Sequence, residues 1–166
     1  MAPASPILKT ARVPTPSGWL LITAAQDAIM RVRWARPDRA EPVDGEPDAL
    51  DHPLLARAQA QLTAYFAGRR RAFDLPLAPE GQPLERAVWD AMLEIPYGQT
   101  RTYGEIARAL GSAPQPVGQA CGANPIPILI PCHRVVGADG ATGGFSGGAG
   151  IETKLALLRL EGALLL

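Results

Sequence analysis

The chain has 166 residues, with 16 basic and 16 acidic side chains and a formal net charge of zero. Apolar residues make up 47%, which excludes a disordered chain and suffices for a buried core, while neutrality excludes a general electrostatic attraction to phosphate. Two cysteines, Cys121 and Cys132, provide neither a disulfide framework nor a four-ligand zinc site.

The N-terminal residues Met1-Ala2-Pro3-Ala4-Ser5-Pro6 lack the basic and apolar stretches of a signal peptide, and no apolar run approaches the ~20 residues of a membrane span. A reducing, cytoplasmic setting without membrane contact is expected. Residues 19–23 and 29–34 are short apolar or alternating runs joined by the turn-prone Gln26-Asp27-Ala28, and they predict a β-hairpin. Residues 36–53 are an acidic loop with prolines at 37, 42 and 47, and His52 beside Pro53 is expected to be exposed. Apolar residues then recur at helical spacing over 54–66 and stop at Gly68, with Arg69-Arg70-Arg71 as a solvated helix end. Residues 72–77 suggest a further strand. The Pro- and Gly-containing stretch 78–83 is a linker and divides the chain into domains 1–80 and 81–166.

The second half opens as helices. Residues 84–94 carry Leu84, Val88, Ala91 and Met92 on one face. Thr102 is placed to cap a helix over 103–110, with Glu105 three residues on as in a capping box, and Gly111 stops it. Residues 115–122 form another short helix with Pro116 in its first turn, ended by Asn124-Pro125. Two short helices joined around a glycine fit a helix-turn-helix or a plain helical hairpin, and spacing does not separate the two.

The chemistry concentrates after that helix. The apolar, proline-bounded stretch Ile126-Pro127-Ile128-Leu129-Ile130-Pro131 delivers Cys132-His133-Arg134-Val135-Val136. A thiol attacks as thiolate, which a nearby imidazole promotes. Neighbours on a regular strand face opposite ways, so Cys132 and His133 need a bend or a bridging water to cooperate. Glu161 or Glu152 would complete a nucleophile, base and orienter. A glycine-rich loop, Gly143-Gly144-Phe145-Ser146-Gly147-Gly148, offers backbone N–H groups to a polar substrate atom.

The run Asn124-Pro125-Ile126-Pro127-Ile128-Leu129-Ile130-Pro131-Cys132-His133-Arg134-Val135-Val136 closely resembles the active-site signature of the O6-alkylguanine-DNA alkyltransferases. The resemblance extends through Tyr103-Gly104-Glu105-Ile106-Ala107, Val117-Gly118, Gly143 to Gly148 and Leu157-Leu158-Arg159-Leu160-Glu161-Gly162, strongly over 83–166 and loosely over 7–77. It implies an α/β (α+β) fold: an N-terminal ribonuclease-H-like α/β domain followed by a mainly helical C-terminal domain with a helix-turn-helix. It also implies a DNA repair protein that binds double-stranded DNA in the minor groove and flips out O6-alkylguanine. The alkyl group would move irreversibly to a cysteine; flipping is needed because the reactive atom is inaccessible within the stack.

By this resemblance Cys132 is the acceptor, His133 deprotonates it through a water, and Glu161 orients His133. Tyr103 would protonate guanine N3 and crowd the rotating phosphate, and Asn124 would brace the turn. The Ser146 N–H would bind O6, the Cys132 and Val135 carbonyls the exocyclic amine, and Pro127 and Phe145 would line the alkyl pocket. DNA would lie against Tyr103, Ala113, Gln115, Gly118, Gln119 and Gly122. Arg134 is assigned chiefly to holding the site together and secondarily to DNA contact. No cofactor is implied, a monomer is expected, and with only His52 and no cysteine in the N-terminal domain the zinc of some relatives is not.

One departure stands out. The family's recognition helix begins with an arginine that fills the gap left by the flipped nucleotide; here Gln115 holds that position, and Gly122 replaces a second arginine. Residues 111–124 carry no charge, so phosphate attraction should be modest. Two other readings compete: a cysteine hydrolase using Cys132, His133 and Glu161, and a protein that only senses alkylated DNA. Turnover on an ester or amide would favour the first, and the presence of Cys132 argues against the second.

Overall fold

The structure is a computed structural model that describes residues 7–36, 38, 41, 43, 51–138 and 150–163. It divides into two compact units, Met1–Pro79 and Glu80–Leu166.

In the first unit three antiparallel strands, β1 (Lys9–Thr15), β2 (Gly18–Ala24) and β3 (Ile29–Trp34), lie in that order, and helix α1 (Pro53–Phe66) packs against β1 and β2. The β2–β3 hairpin pairs Leu20 with Trp34 and Ile22 with Val32. Ala11, Val13, Leu20, Ile22 and Val32 are buried, as are Leu55, Ala58, Leu62 and Tyr65 of α1. The sequence pattern did not reveal β1. Arg12 and Pro14 blur its alternation, and Pro14 is tolerated because β1 is an edge strand.

Two expectations fail in this unit. Residues 72–77 do not form a strand: only Leu77 makes a bridge, to Ile29, while Gln61 of α1 holds the backbone N–H and C=O of Asp74 at 2.9 and 3.2 Å. Pro76 has no N–H to donate to a ladder, and α1 side chains take the place of a partner strand. His52 is buried, not exposed. It caps α1: Nδ1 accepts from the Leu55 N–H at 3.3 Å, and Nε2 donates to the Ala25 carbonyl at 3.0 Å. A neutral imidazole thus satisfies an orphan helix N–H and a buried carbonyl together.

In the second unit, helices α2 (Pro83–Leu93), α3 (Tyr103–Leu110), α4 (Pro114–Gly122) and α5 (Ile151–Leu160) accompany a short parallel pair, β4 (Arg101–Thr102) and β5 (Val135–Val136). α2 buries Val88, Trp89 and Met92, whereas Leu84 is exposed, so the apolar stripe is rotated from the expected one. Trp89 decides that rotation. Its Nε1 donates to the Ala120 carbonyl of α4 at 2.8 Å, and a Cβ on Gly81 would come within 2.4 Å of its ring. The linker backbone therefore lies directly on the indole.

The Thr102–Glu105 capping box is present: Thr102 Oγ1 accepts from the Glu105 N–H at 3.0 Å, and Glu105 Oε1 from the Thr102 N–H at 3.4 Å. Gly111 ends α3 in the left-handed region at φ 64°. The three residues from Gly111 to Ala113 join α3 to α4, in length and in their glycine the connection of a helix-turn-helix. Thr102→Ala removes one side of the box and is expected to cost about 1 kcal/mol, read as a drop of a few degrees in Tm by thermal denaturation.

Candidate active site

Cys132 is carried by a turn that its neighbours force. Asn124 Oδ1 accepts from the Ile126 N–H, and its Nδ2 donates to the Ile130 carbonyl, both at 2.9 Å. The Ile130 N–H closes the loop on the Ile126 carbonyl at 2.8 Å. Within it Ile128 takes φ 73°, a region unfavourable to a β-branched residue, while its side chain is buried. The chain then enters a single 3-10 turn, Cys132–Arg134. That turn supplies a bend, one of the two routes by which Cys132 and His133 could cooperate. It replaces strand alternation, and all three side chains are buried.

Behind the thiol, His133 is wholly buried and its Nε2 donates to Glu161 Oε2 at 2.7 Å. Glu161, the C-cap residue of α5, also accepts from Arg134: Nε to Oε1 at 2.7 Å and Nη2 to Oε2 at 3.0 Å. Arg134 Nη1 donates to the Ile95 carbonyl at 2.7 Å. One carboxylate is therefore held by a guanidinium fork and turned toward one imidazole.

Burial pushes His133 below the ordinary histidine range, only partly opposed by Glu161, so the imidazole is neutral at neutral pH. With its proton on Nε2, Nδ1 is an acceptor, buried and without a hydrogen-bond partner among the described residues. Burial also raises the Cys132 thiol; the Asn124 amide and then the Lys154 ammonium oppose it. Tyr103 is raised by burial and by the two nearby thiols, and stays a phenol able to donate a proton.

The structure thus joins His133 to Glu161, sets Cys132 next to His133 in one buried turn, and gives Asn124 a bracing geometry. Glu152 is excluded from the orienting position, being exposed in the first turn of α5. The assignment of Arg134 to DNA contact is corrected: its guanidinium is buried and committed to Glu161 and Ile95. On α4, Gln115, Gly118, Gln119 and Gly122 share the face opposite buried Val117, Ala120 and Cys121, and Gln115, Gln119 and Gly122 are exposed. A Cβ on Gly118 or Gly122 would meet nothing within 4 Å, so this face is open, and Ala113 before it is exposed. An open groove of about 580 Å³ has Tyr103, Arg108, Ser112 and Pro114 on its walls. Pro127 is half-buried, Val135 is buried, and Phe145 and Ser146 lie outside the described residues.

Sequence reasoning missed Ile95 and Lys154. A backbone carbonyl such as that of Ile95 leaves no signal in side-chain identities. Lys154 left one: Lys154, Leu157, Leu158 and Glu161 fall at i, i+3, i+4 and i+7, which puts the lysine on the face of α5 that carries Glu161.

A buried thiol, followed in the chain by a buried imidazole bonded to a clamped carboxylate, is the kind of arrangement that cysteine-centred chemistry uses. Residues 83–163 match the family described as 6-O-methylguanine DNA methyltransferase, DNA binding domain, and residues 8–79 match its ribonuclease-like domain. The chain is 41% identical over 153 residues to the methylated-DNA–protein-cysteine methyltransferase of Methanosarcina acetivorans, covering 90% of this chain and 95% of that protein. It is 42% identical over 152 residues to the constitutive methylated-DNA–protein-cysteine methyltransferase of Bacillus subtilis, covering 89% and 91%. Among solved structures, Mycobacterium tuberculosis O6-methylguanine methyltransferase superposes with a TM-score of 0.78 at 37% identity, covering 95% of this chain and 94% of that one. A second structure from that organism, in complex with DNA, gives 0.78 at 38%, covering 93% and 92%. The chain belongs to the 6-O-methylguanine DNA methyltransferase family.

Proposed function

We propose that this protein is a DNA repair methyltransferase that moves the alkyl group of O6-alkylguanine, chiefly O6-methylguanine, onto Cys132, irreversibly and once per molecule. The observation that carries this reading is the Cys132–His133 pair on a buried turn with His133 bonded to Glu161 at the end of α5. Residues 1–80 serve as the ribonuclease-H-like domain and 81–166 as the DNA-binding and alkyl-transfer domain.

In the reaction the Cys132 proton passes through a water to His133 Nδ1. Glu161 stabilises the imidazolium so formed, itself steadied by Arg134. The thiolate attacks the alkyl carbon: the S–C bond forms as C–O6 breaks, the electron pair enters the purine ring, and Tyr103 gives a proton to N3. Asn124 keeps the turn rigid. The Cys132 and Val135 carbonyls and the Ser146 N–H hold the base, and Pro127 and Phe145 flank the alkyl group. Thiolate is a poor leaving group from the alkyl carbon of a neutral thioether, so nothing regenerates the thiol.

The base reaches the site by flipping from duplex DNA bound through its minor groove against Tyr103, Ala113 and the open face of α4. Small Gly118 and Gly122 allow close approach there, beside Gln119. Free, buried Cys121 and Cys132 suit a reducing cytoplasm, and a site built from one chain suits a monomer. Intact mass after incubation with O6-methylguanine duplex should rise by one methyl per molecule. More than one turnover per molecule would overturn the reading.

Gln115 at the start of α4 would fill the space of the flipped nucleotide and hydrogen-bond the orphaned base. Gln115→Ala should cost about 1 kcal/mol, near a fivefold loss in duplex repair, while sparing transfer from free O6-benzylguanine. Gln115→Arg should keep or improve duplex repair. Equal losses on both substrates would instead make Gln115 a residue of the fold.

A further inference from the structure

Residues 111–124 carry no charge, so the open face of α4 has no cation of its own to set against a phosphate. Duplex DNA nevertheless carries a negative charge about every 1.7 Å along its axis, and phosphate contacts supply most of the affinity that is independent of sequence. Such a contact then has to come from outside α4. Residues 81–166 hold six basic side chains. Arg134 and Lys154 are buried, while Arg86, Arg101, Arg108 and Arg159 are exposed. Of these four, only Arg108 lines the open groove of about 580 Å³ that runs beside the α3–α4 connection.

Arg108 stands in the last turn of α3, four residues after Gly104. A helical Cα–Cβ bond tilts toward the helix N-terminus, so Arg108 leans over Gly104, and both line the groove. Gly104 leaves that path clear: a Cβ there would meet only Thr102 Oγ1, at 3.9 Å. No hydrogen bond or ion pair engages the Arg108 side chain among the described residues. Glu105, the acid of the same helix, is turned back to the Thr102 N–H in the capping box. The remaining walls, Tyr103, Ser112, Pro114 and Gly137 among them, are uncharged, and no acidic residue lines the groove among the described residues. One uncommitted guanidinium in a groove without an anion is complementary to a phosphodiester. We propose that Arg108 binds a backbone phosphate of the duplex in this groove beside Tyr103, supplying from α3 the charge that α4 lacks. This rests on the DNA-repair reading above. A contact of this kind fixes register and orientation and carries no sequence preference.

The test is binding of the full chain to a short undamaged duplex, followed by fluorescence anisotropy from low to high salt, with folding checked by circular dichroism. Arg108→Gln keeps a polar side chain and removes the charge. It should weaken binding about tenfold at low salt and make the plot of log affinity against log salt shallower by about one. Arg108→Lys keeps the charge and should return the slope toward its original value. Arg86→Gln removes an exposed cation of α2 that does not line the groove, and should leave the slope nearly unchanged. An unchanged slope in Arg108→Gln would overturn the proposal. Equal changes in Arg108→Gln and Arg86→Gln would also overturn it, marking an effect of overall charge, as would failure of Arg108→Gln to fold. A wild-type chain that gains no methyl from an O6-methylguanine duplex would defeat the parent reading instead.

Discussion

Cys132→Ser protein mixed with duplex DNA carrying O6-methylguanine is expected to gain no mass, while still folding and binding the duplex. The substitution changes one buried atom. It swaps a thiol for a far less acidic alcohol, and a soft nucleophile for a hard one. Loss of rate beyond about a thousandfold is expected, against about 1 kcal/mol in stability from placing a hydroxyl in a buried site. The second cysteine will not substitute. Burial pushes the Cys121 thiol up to about 12, and its Sγ donates to Met92 Sδ at 3.7 Å. At neutral pH only on the order of one such thiol in 10⁵ is ionised. Peptide mapping of the wild-type product should therefore place the methyl on Cys132; a methyl on Cys121 would refute the assignment.

Glu161→Gln should damage the protein twice over. The carboxylate accepts hydrogen bonds from His133 Nε2 and from Arg134 Nε and Nη2. An amide has one oxygen, so whichever way it is turned, its NH2 meets another donor. Arg134 is left buried without its counter-charge, and breaking a buried pair in this way costs about 3–5 kcal/mol. The melting temperature should fall by about 10 °C or more. Transfer in the folded fraction should also slow, because the imidazolium formed on His133 loses its stabilising anion. DNA affinity should change little by comparison. Glu152→Gln, at an exposed position, is the control and should leave Tm and rate nearly unchanged. A silent Glu161→Gln would remove Glu161 from the relay.

What could be read beforehand depended on whether a residue's partners were local. Thr102, Glu105 and Gly111 act within one helix and were legible from spacing alone. The β2–β3 hairpin was legible because both runs are apolar and the turn between them is short. β1 was not, because its strand character comes from pairing along the whole of β2. His52 looked like a loop residue until the Ala25 carbonyl, 27 positions earlier, gave it a second partner. In the site, the signature singled out Cys132 and His133, and the wider resemblance chose Glu161 over Glu152. The role of Arg134 needed Ile95 and Glu161 on either side of it. Residues joined by long-range contacts carry no local period, so their pairing appears only in three dimensions.

Ile128 has a consequence for when the work of shaping the site is done. A β-branched residue at φ 73° costs about 1–3 kcal/mol, and it persists because its side chain is buried and the Asn124 bonds span the same turn. That expense is met as the chain folds, before any lesion is found. The thiol's surroundings are therefore set in advance, and little rearrangement is left for the encounter itself. A reagent consumed by its first reaction has no later cycle in which to correct a misaligned start. Each copy must leave folding already armed, and a strained turn locked at synthesis is a physical way to achieve that.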